Sequence, residues 1–354
     1  MYGELKKNRL ESINKKVLLI YTGGTIGMIK DYDSGALKAF NFKDLLSHIP
    51  ELKLLDCAVD TYSFENPIDS SNMNPTYWIR IATVIENAYA LYDGFVVLHG
   101  TDTMSYTASA LSFLLENLSK PVIFTGSQLP IGDLRTDAKE NLITSIHIAS
   151  LKEAGKAVIQ EVGLYFEYTL YRGNRTTKIN TEHFNAFASL NYPALLESGV
   201  HLNVFKEHLW KNKEGETFFA HKKMDSNVAL LKIFPGLTQK LLHSILQTPG
   251  LRALILETYG SGNAFTAPWF LNELKKAKKN NILLINVTQC SGGSVVLGKY
   301  ETSKAMLDLQ VISGKDITTE AAVTKLMFLL GVGFPIGSVK TIFETSLRGE
   351  MYKK

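Results

Sequence analysis

Two threonines, each set just after an apolar run and a glycine, are the residues of this chain best placed to do chemistry. Thr25 stands in Thr22-Gly23-Gly24-Thr25-Ile26-Gly27, after the apolar run 17–21. Thr101 stands in His99-Gly100-Thr101-Asp102-Thr103, after the run 95–98. Glycines let a backbone turn sharply and come close to a ligand. A threonine hydroxyl becomes a nucleophile only when a base takes its proton. Asp102 offers an acceptor for an amine. Arg172-Gly173-Asn174-Arg175-Thr176-Thr177-Lys178 offers a lysine that, desolvated in a pocket, can activate a hydroxyl. Asp69-Ser70-Ser71 supplies small polar groups for a polar substrate. Each has a plainer reading: a tight turn at Thr25, a helix cap at Thr101, Asp102 or Thr103, a turn before the helix containing Trp78, and a solvated face for the three cations. The glycine spacing fits neither a Walker loop nor Gly-x-Gly-x-x-Gly, and no cluster has metal-ligand spacing. His99 and His183 read as structural.

These candidates need elements to hold them. Apolar runs at 17–21, 95–98, 122–124, 228–234, 254–256 and 282–287 each end in a glycine-containing turn. Short apolar runs bounded by turns suit strands buried on both faces of a parallel sheet. Helical patterns at 104–118, 137–151 and 319–330 alternate with them, which is the signature of α/β architecture. Ligand sites are then expected beyond the carboxyl ends of the strands. The stretch 201–226 breaks the rhythm. The chain therefore divides into a larger N-terminal catalytic α/β domain with a mainly parallel sheet (1–200), a connector with a short hairpin (201–226), and a smaller C-terminal parallel-sheet α/β domain (227–354).

Composition excludes several classes. The length of 354 residues suits about two domains. Thirty-eight Lys and Arg against 34 Asp and Glu give a charge of +4, too balanced for a dedicated nucleic-acid binder. Cys57 and Cys290 cannot build a disulfide framework. The apolar run at 17–20 is too short for a signal-peptide core or a membrane span. A soluble, cytoplasmic protein with no nucleic-acid or membrane partner is expected.

Taken together, the loops resemble the bacterial L-asparaginase family, in its type I, cytoplasmic branch. Tyr21-Thr22-Gly23-Gly24-Thr25-Ile26-Gly27-Met28 and Leu98-His99-Gly100-Thr101-Asp102-Thr103-Met104 are similar to the two threonine signatures of that family. Asp69-Ser70-Ser71, Tyr171-Arg172-Gly173-Asn174-Arg175-Thr176-Thr177-Lys178, Tyr259-Gly260-Ser261-Gly262-Asn263-Ala264 and Leu347-Arg348-Gly349-Glu350 are similar to further type I segments. The resemblance runs nearly end to end. It implies hydrolysis of L-asparagine to L-aspartate and ammonia through a threonine acyl-enzyme, without metal or organic cofactor. It implies Thr25 as the nucleophile, with Thr101, Lys178 and Asp102 as a second triad. Asp69, Ser70, Ser71, Thr101 and Asp102 would bind the substrate, and backbone amides around Thr101 would hold the oxyanion. It also implies a homodimer or homotetramer.

Two positions depart from the family. A loop tyrosine of the family aligns with Ala36, and Tyr32, four residues away, is the candidate to replace it. The type I effector site resembles Thr288-Gln289-Cys290 here, but Glu257 stands where its arginine is expected. An acid cannot make arginine's charge-assisted bond to a carboxylate, so asparagine allostery is expected to be lost or rebuilt. Two other readings compete. An amidotransferase subunit acting with glutamine on transfer RNA needs a further N-terminal domain, and the first apolar run already begins at Val17. A non-catalytic binding protein does not need Thr25, Thr101, Asp102 and Lys178 together. Glutamine hydrolysis is expected to be lesser or negligible, although one added methylene changes binding by only about 1–3 kcal/mol.

Overall fold

In a computed structural model, which describes residues 15–30, 37–39, 49–212 and 215–353, the apolar runs become strands of two sheets. The larger contains β1 (Lys16–Gly23), β2 (Ala58–Ile68), β3 (Gly94–Leu98), β4 (Val122–Thr125), β5 (Val162–Phe166), β6 (Thr169–Arg172), β7 (Leu196–Ser198) and β8 (Leu202–Val204). Their spatial order is β8-β7-β6-β5-β4-β3-β1-β2. Pairing is parallel from β5 to β2 and antiparallel from β5 to β8.

Side chains on neighbouring parallel strands sort by the two-residue period of extended chain. Leu18, Ile20, Phe95 and Val97 enter one core, whereas Val17, Leu19, Tyr21, Val96 and Leu98 enter the other. Both faces are covered, which is why these runs are apolar throughout rather than alternating. Helices α1 (Pro75–Ala88) and α2 (Met104–Leu114) fill the first core, and α3 (Ala138–Ala149) the second. The helix pattern at 104–118 stops early: Leu115–Glu116 turns extended and pairs with Phe219–Ala220. Asn117 then takes a left-handed φ of 56°. Strand pairing overrides the helical spacing there, while Leu118 still reaches the core.

The smaller sheet has the order β9 (Val228–Lys232), β10 (Ala253–Thr258), β11 (Leu283–Thr288), β12 (Ile312–Ser313), parallel throughout. Helices α4 (Gln239–Leu246) and α5 (Pro268–Lys279) cover one face of it. Helices α6 (Glu301–Asp308), α7 (Thr319–Val332) and α8 (Ile336–Phe343) complete the set among the described residues. The Thr318 side chain accepts from the Ala321 amide and starts α7, a sequence-local N-cap. Ala321, Leu326 and Leu329 of α7 then share the core of Phe113 and Leu114, so one apolar cluster welds the two sheets. The architecture is thus a large N-terminal, mainly parallel α/β unit joined to a smaller parallel one. The large sheet reaches past residue 200, since β8 is its edge strand. No helix among the described residues is long and apolar enough to cross a membrane.

Candidate active site

Register brings the candidate loops together. Tyr21 of β1 lies opposite Leu98 of β3, and Leu98 lies opposite Thr125 of β4. Gly23, beyond an irregularity in β1, pairs with Ile68 at the end of β2. Four loops therefore leave the same carboxyl edge side by side: those beginning at Gly126, His99, Gly24 and Asp69. Gly23 and Gly24 have φ of +136° and +91°, and a Cβ on Gly24 would lie 2.5 Å from the Gly100 nitrogen. The two threonine-bearing turns are packed backbone to backbone. A Cβ on Gly100 would in turn lie 2.6 Å from the Ser70 hydroxyl. Only glycine permits these approaches.

The hydroxyl and carboxylate groups of the second loop do not cap the helix that follows. Neither Gly100 nor Thr103 makes a side-chain cap. Instead, Lys178 Nζ donates to Thr101 Oγ1 at 2.8 Å and to Asp102 Oδ1 at 2.7 Å. Thr103 donates to the Ser70 carbonyl at 2.7 Å, tying the second loop to the third. Thr101 Oγ1 also faces Gln128 Oε1, a longer contact of 3.4 Å. Gln128 is anchored by its side-chain amide on the Thr181 and His183 carbonyls, and its backbone N–H donates to Asp137. Burial holds the Asp137 carboxyl above the ordinary carboxylate range. Sequence reasoning misses Gln128, although it follows an apolar run and a glycine just as Thr25 and Thr101 do.

Asp69 accepts from the hydroxyl and the amide of Ser71, at 2.6 and 2.9 Å, and the hydroxyl foremost holds its carboxyl below the ordinary range. Ser70 is buried against Gly100, and Ser71 faces solvent. Thr25 is half-buried in its turn. A cavity of about 490 Å³ is lined by Asp102, Tyr106, Lys178, Ile179, Asn180, Thr181 and Glu320. A larger hollow of about 1060 Å³, bordered by Lys120, Lys152, Lys206 and Trp210, shares no residue with it.

The cationic segment before Lys178 is a correction to the solvated-face reading. Arg172 and Arg175 are buried, paired with Glu161 at 2.6 Å and Asp316 at 2.6 Å. Arg175 also donates to the Gly349 carbonyl. Asp316 lies 141 residues from Arg175, beyond the reach of local composition, and Glu161, 11 residues before Arg172, meets it only through the β5–β6 pairing. Thr177 donates to Glu320 of α7 at 2.5 Å, which places a C-terminal carboxyl beside the lysine. Burial foremost, and the Glu257 charge after it, raise the Glu320 carboxyl.

Thr288, Gln289 and Cys290 line an adjoining cavity of about 230 Å³ with Glu257, which shares Tyr106 and Glu320 with the Lys178 cavity. The Gln289 side chain is spent on the Ile233 and Glu257 carbonyls. Thr288 donates to the Gly260 carbonyl, and Cys290 is exposed. Tyr32 and Ala36 lie outside the described residues.

Comparison with known proteins gives this geometry a context. The asparaginase N-terminal family model matches residues 16–210, and the glutaminase/asparaginase C-terminal domain model matches residues 227–343. L-asparaginase 1 of Escherichia coli strain K12 is 41% identical over 338 residues, covering 95% of this chain and 98% of that protein. The crystal structure of L-asparaginase I from Vibrio cholerae matches with a TM-score of 0.87 at 39% identity, covering 96% of this chain and 99% of that one. The thermostable L-asparaginase from Thermococcus kodakarensis matches with a TM-score of 0.87 at 31% identity, covering 96% of this chain and 100% of that one.

Proposed function

This chain belongs to the asparaginase family, and we propose that it hydrolyses the side-chain amide of L-asparagine to L-aspartate and ammonia with Thr25 as its nucleophile. The observation that carries the reading is Lys178 bound to both Thr101 and Asp102, on a loop packed directly against the Thr25 turn.

The Thr25 hydroxyl attacks the amide carbon, and its proton passes towards the leaving nitrogen. The C–N bond breaks, ammonia departs and an ester to Thr25 remains. Water then adds to that ester, giving aspartate and restoring the hydroxyl. Thr101, oriented by Lys178, relays protons, and Asp102 fixes the lysine between them. An amine that is transiently neutral can accept a proton as an ammonium cannot, and that is why lysine suits the place. The Thr101 backbone N–H faces the developing oxyanion, an interaction of about 3 kcal/mol per donor. Asp69 and Asp102 accept from the substrate ammonium. The Ser70 hydroxyl, with nearby backbone N–H groups, holds its carboxylate, since acceptors alone cannot, while Ser71 lines the site and keeps its own proton on Asp69. Residues 1–200 carry all these groups, β8 extends their sheet to Val204, the rest of 201–226 connects, and 227–354 form the second domain. The enzyme works in the cytoplasm as a homodimer or homotetramer, with two free cysteines compatible with a reducing compartment.

The test is ammonia release over concentration series of asparagine and glutamine, with the intact chain and with Thr25→Ala. Release from asparagine is expected, hyperbolic in concentration because Glu257 replaces the effector arginine. Thr25→Ala should abolish it with the melting temperature unchanged. Undiminished release by Thr25→Ala would remove that threonine from the chemistry. A sigmoidal curve would restore effector control.

A further inference from the structure

Hydrolysis through an acyl-enzyme needs the Thr101 amide aimed at the oxyanion, and the role inferred here for His99 rests on that reading. One planar peptide carries the Gly100 carbonyl and the Thr101 N–H on opposite sides, so fixing the first direction fixes the second. The Gly100 carbonyl is engaged by the imidazole of its own neighbour: His99 Nδ1 lies 2.7 Å from that oxygen. The other ring nitrogen, Nε2, lies 2.9 Å from Thr107 Oγ1. The Trp78 indole donates to the same hydroxyl oxygen at 3.0 Å. His99, Thr107 and Trp78 are all buried, with 1%, 0% and 5% exposure.

Proton assignment follows from what each group can do. An indole N–H only donates and a carbonyl only accepts, so His99 Nδ1 must carry a proton. Burial drives the imidazole down to about 4, so the ring is neutral near pH 7 and Nε2 is bare. The Thr107 hydroxyl therefore donates to Nε2 while accepting from Trp78. The chain runs in one direction from Trp78 through Thr107 and His99 to the Gly100 carbonyl, and each link joins a donor to an acceptor.

The backbone on the other side of His99 is already fixed. Its amide donates to the Thr125 carbonyl at 2.9 Å, and a Cβ on Gly126 would lie 2.3 Å from its carbonyl oxygen. What the strand does not fix is the plane of the next peptide, and the imidazole reaches just that carbonyl. We propose that His99, kept in its Nδ1–H form by this chain, is a positioning residue that aims the Thr101 amide at the oxyanion. An interaction that matters only once the oxyanion develops should appear in kcat and not in KM.

The experiment compares His99→Leu with His99→Asn in the full chain, reading kcat and KM for asparagine, and records the imidazole nitrogens of the unaltered protein by ¹⁵N NMR. The asparagine amide nitrogen can occupy the place of Nδ1, whereas leucine has no donor. His99→Leu is expected to lower kcat about tenfold or more with KM within about twofold, since removing an oxyanion donor outright costs about 10²–10³-fold. His99→Asn should recover most of the loss. The NMR spectrum should show a ring protonated at Nδ1 and bare at Nε2, the Nε2 signal shifted by Thr107→Val, which removes the donating hydroxyl. Should His99→Leu fail to fold, the tautomer and the kcat of His99→Asn decide. An Nε2–H tautomer, equal kcat losses in both folded variants, wild-type kcat in His99→Leu, or a loss confined to KM would each overturn the proposal. An unaltered chain that releases no ammonia would overturn the asparaginase reading, and the role of His99 with it. Turnover by the unaltered chain together with any of these contrary results removes His99 alone.

Discussion

Three residues apart, Arg175 and Lys178 each meet a carboxylate at nearly the same distance and in opposite surroundings. Arg175 lies 2.6 Å from Asp316, with side chains 1% and 4% exposed. Lys178 lies 2.7 Å from Asp102, with side chains 15% and 63% exposed. A guanidinium keeps its charge and spreads several donors in a rigid fork. Arg175 uses them on Asp316 and on the Gly349 carbonyl, locking the segment to the C-terminal domain. An ammonium is a compact charge on a flexible stem and can give its proton up. Lys178 stands at the cavity with one hydroxyl and one solvent-facing carboxylate as its partners. The same short stretch thus divides its labour by cation type: arginine for the clamp and, in the proposed mechanism, lysine for proton transfer.

That contrast can be broken at either end. The largest effect is expected from Lys178→Met, which should lower kcat by about 10²–10⁴-fold, the range of a lost acid–base group. Its folding stability should change by no more than about 1 kcal/mol, since the carboxylate of the pair faces solvent and is not stranded by the loss of the lysine. A stability loss as large as that of the clamp would show that Lys178 is structural too. Next comes Arg175→Ala, which strands a buried Asp316 carboxylate. Denaturant titration should show a loss of about 3–5 kcal/mol, and a loss below about 1 kcal/mol would erase the distinction. The smallest effect concerns Asp69, a carboxylate steadied by a hydroxyl and an amide rather than by a cation. Removing the hydroxyl in Ser71→Ala lets its pKa rise. Protonation then begins at a higher pH as the solution is acidified, so the acid-side rise in KM for asparagine should move to higher pH. A KM profile that does not move would exclude Asp69 from substrate binding or Ser71 from tuning it.

The legible parts of the fold are those written locally. Apolar runs ending in glycine name β1, β3, β4, β9, β10 and β11, and the glycines beyond β1 and β3 mark where Thr25 and Thr101 emerge. Their side-by-side placement follows from parallel register, which the alternation of strand and helix implies. What stays hidden depends on partners far along the chain. Val162–Phe166 carries a glycine and a tyrosine within its run, yet it is buried throughout because β4 and β6 flank it. Arg175 looks like part of a wet, cationic patch until Asp316 and Gly349 are brought to it. Gln128 escapes notice because nothing about a glutamine suggests catalysis until Thr101 faces it. His99 reads as structural, and its burial agrees with that. Only the direction of its two ring nitrogens separates packing from positioning.

The clamp on Arg175 also has a consequence for time. Its contacts with Asp316 and Gly349 span 141 and 174 residues of chain, and the Asn174 contact with the Arg348 carbonyl spans 174. During synthesis, all four loops of the catalytic edge leave the ribosome long before residues 316–349 exist. A nascent chain can therefore pair β1 to β5 and form both threonine turns while the segment bearing Lys178 still lacks its anchors. Contacts that close such long loops form late, after local and neighbouring pairings have restricted the chain. Competence for hydrolysis is in this sense deferred to the final tenth of translation, and a product interrupted before Gly349 would hold its threonines in place with an unanchored lysine.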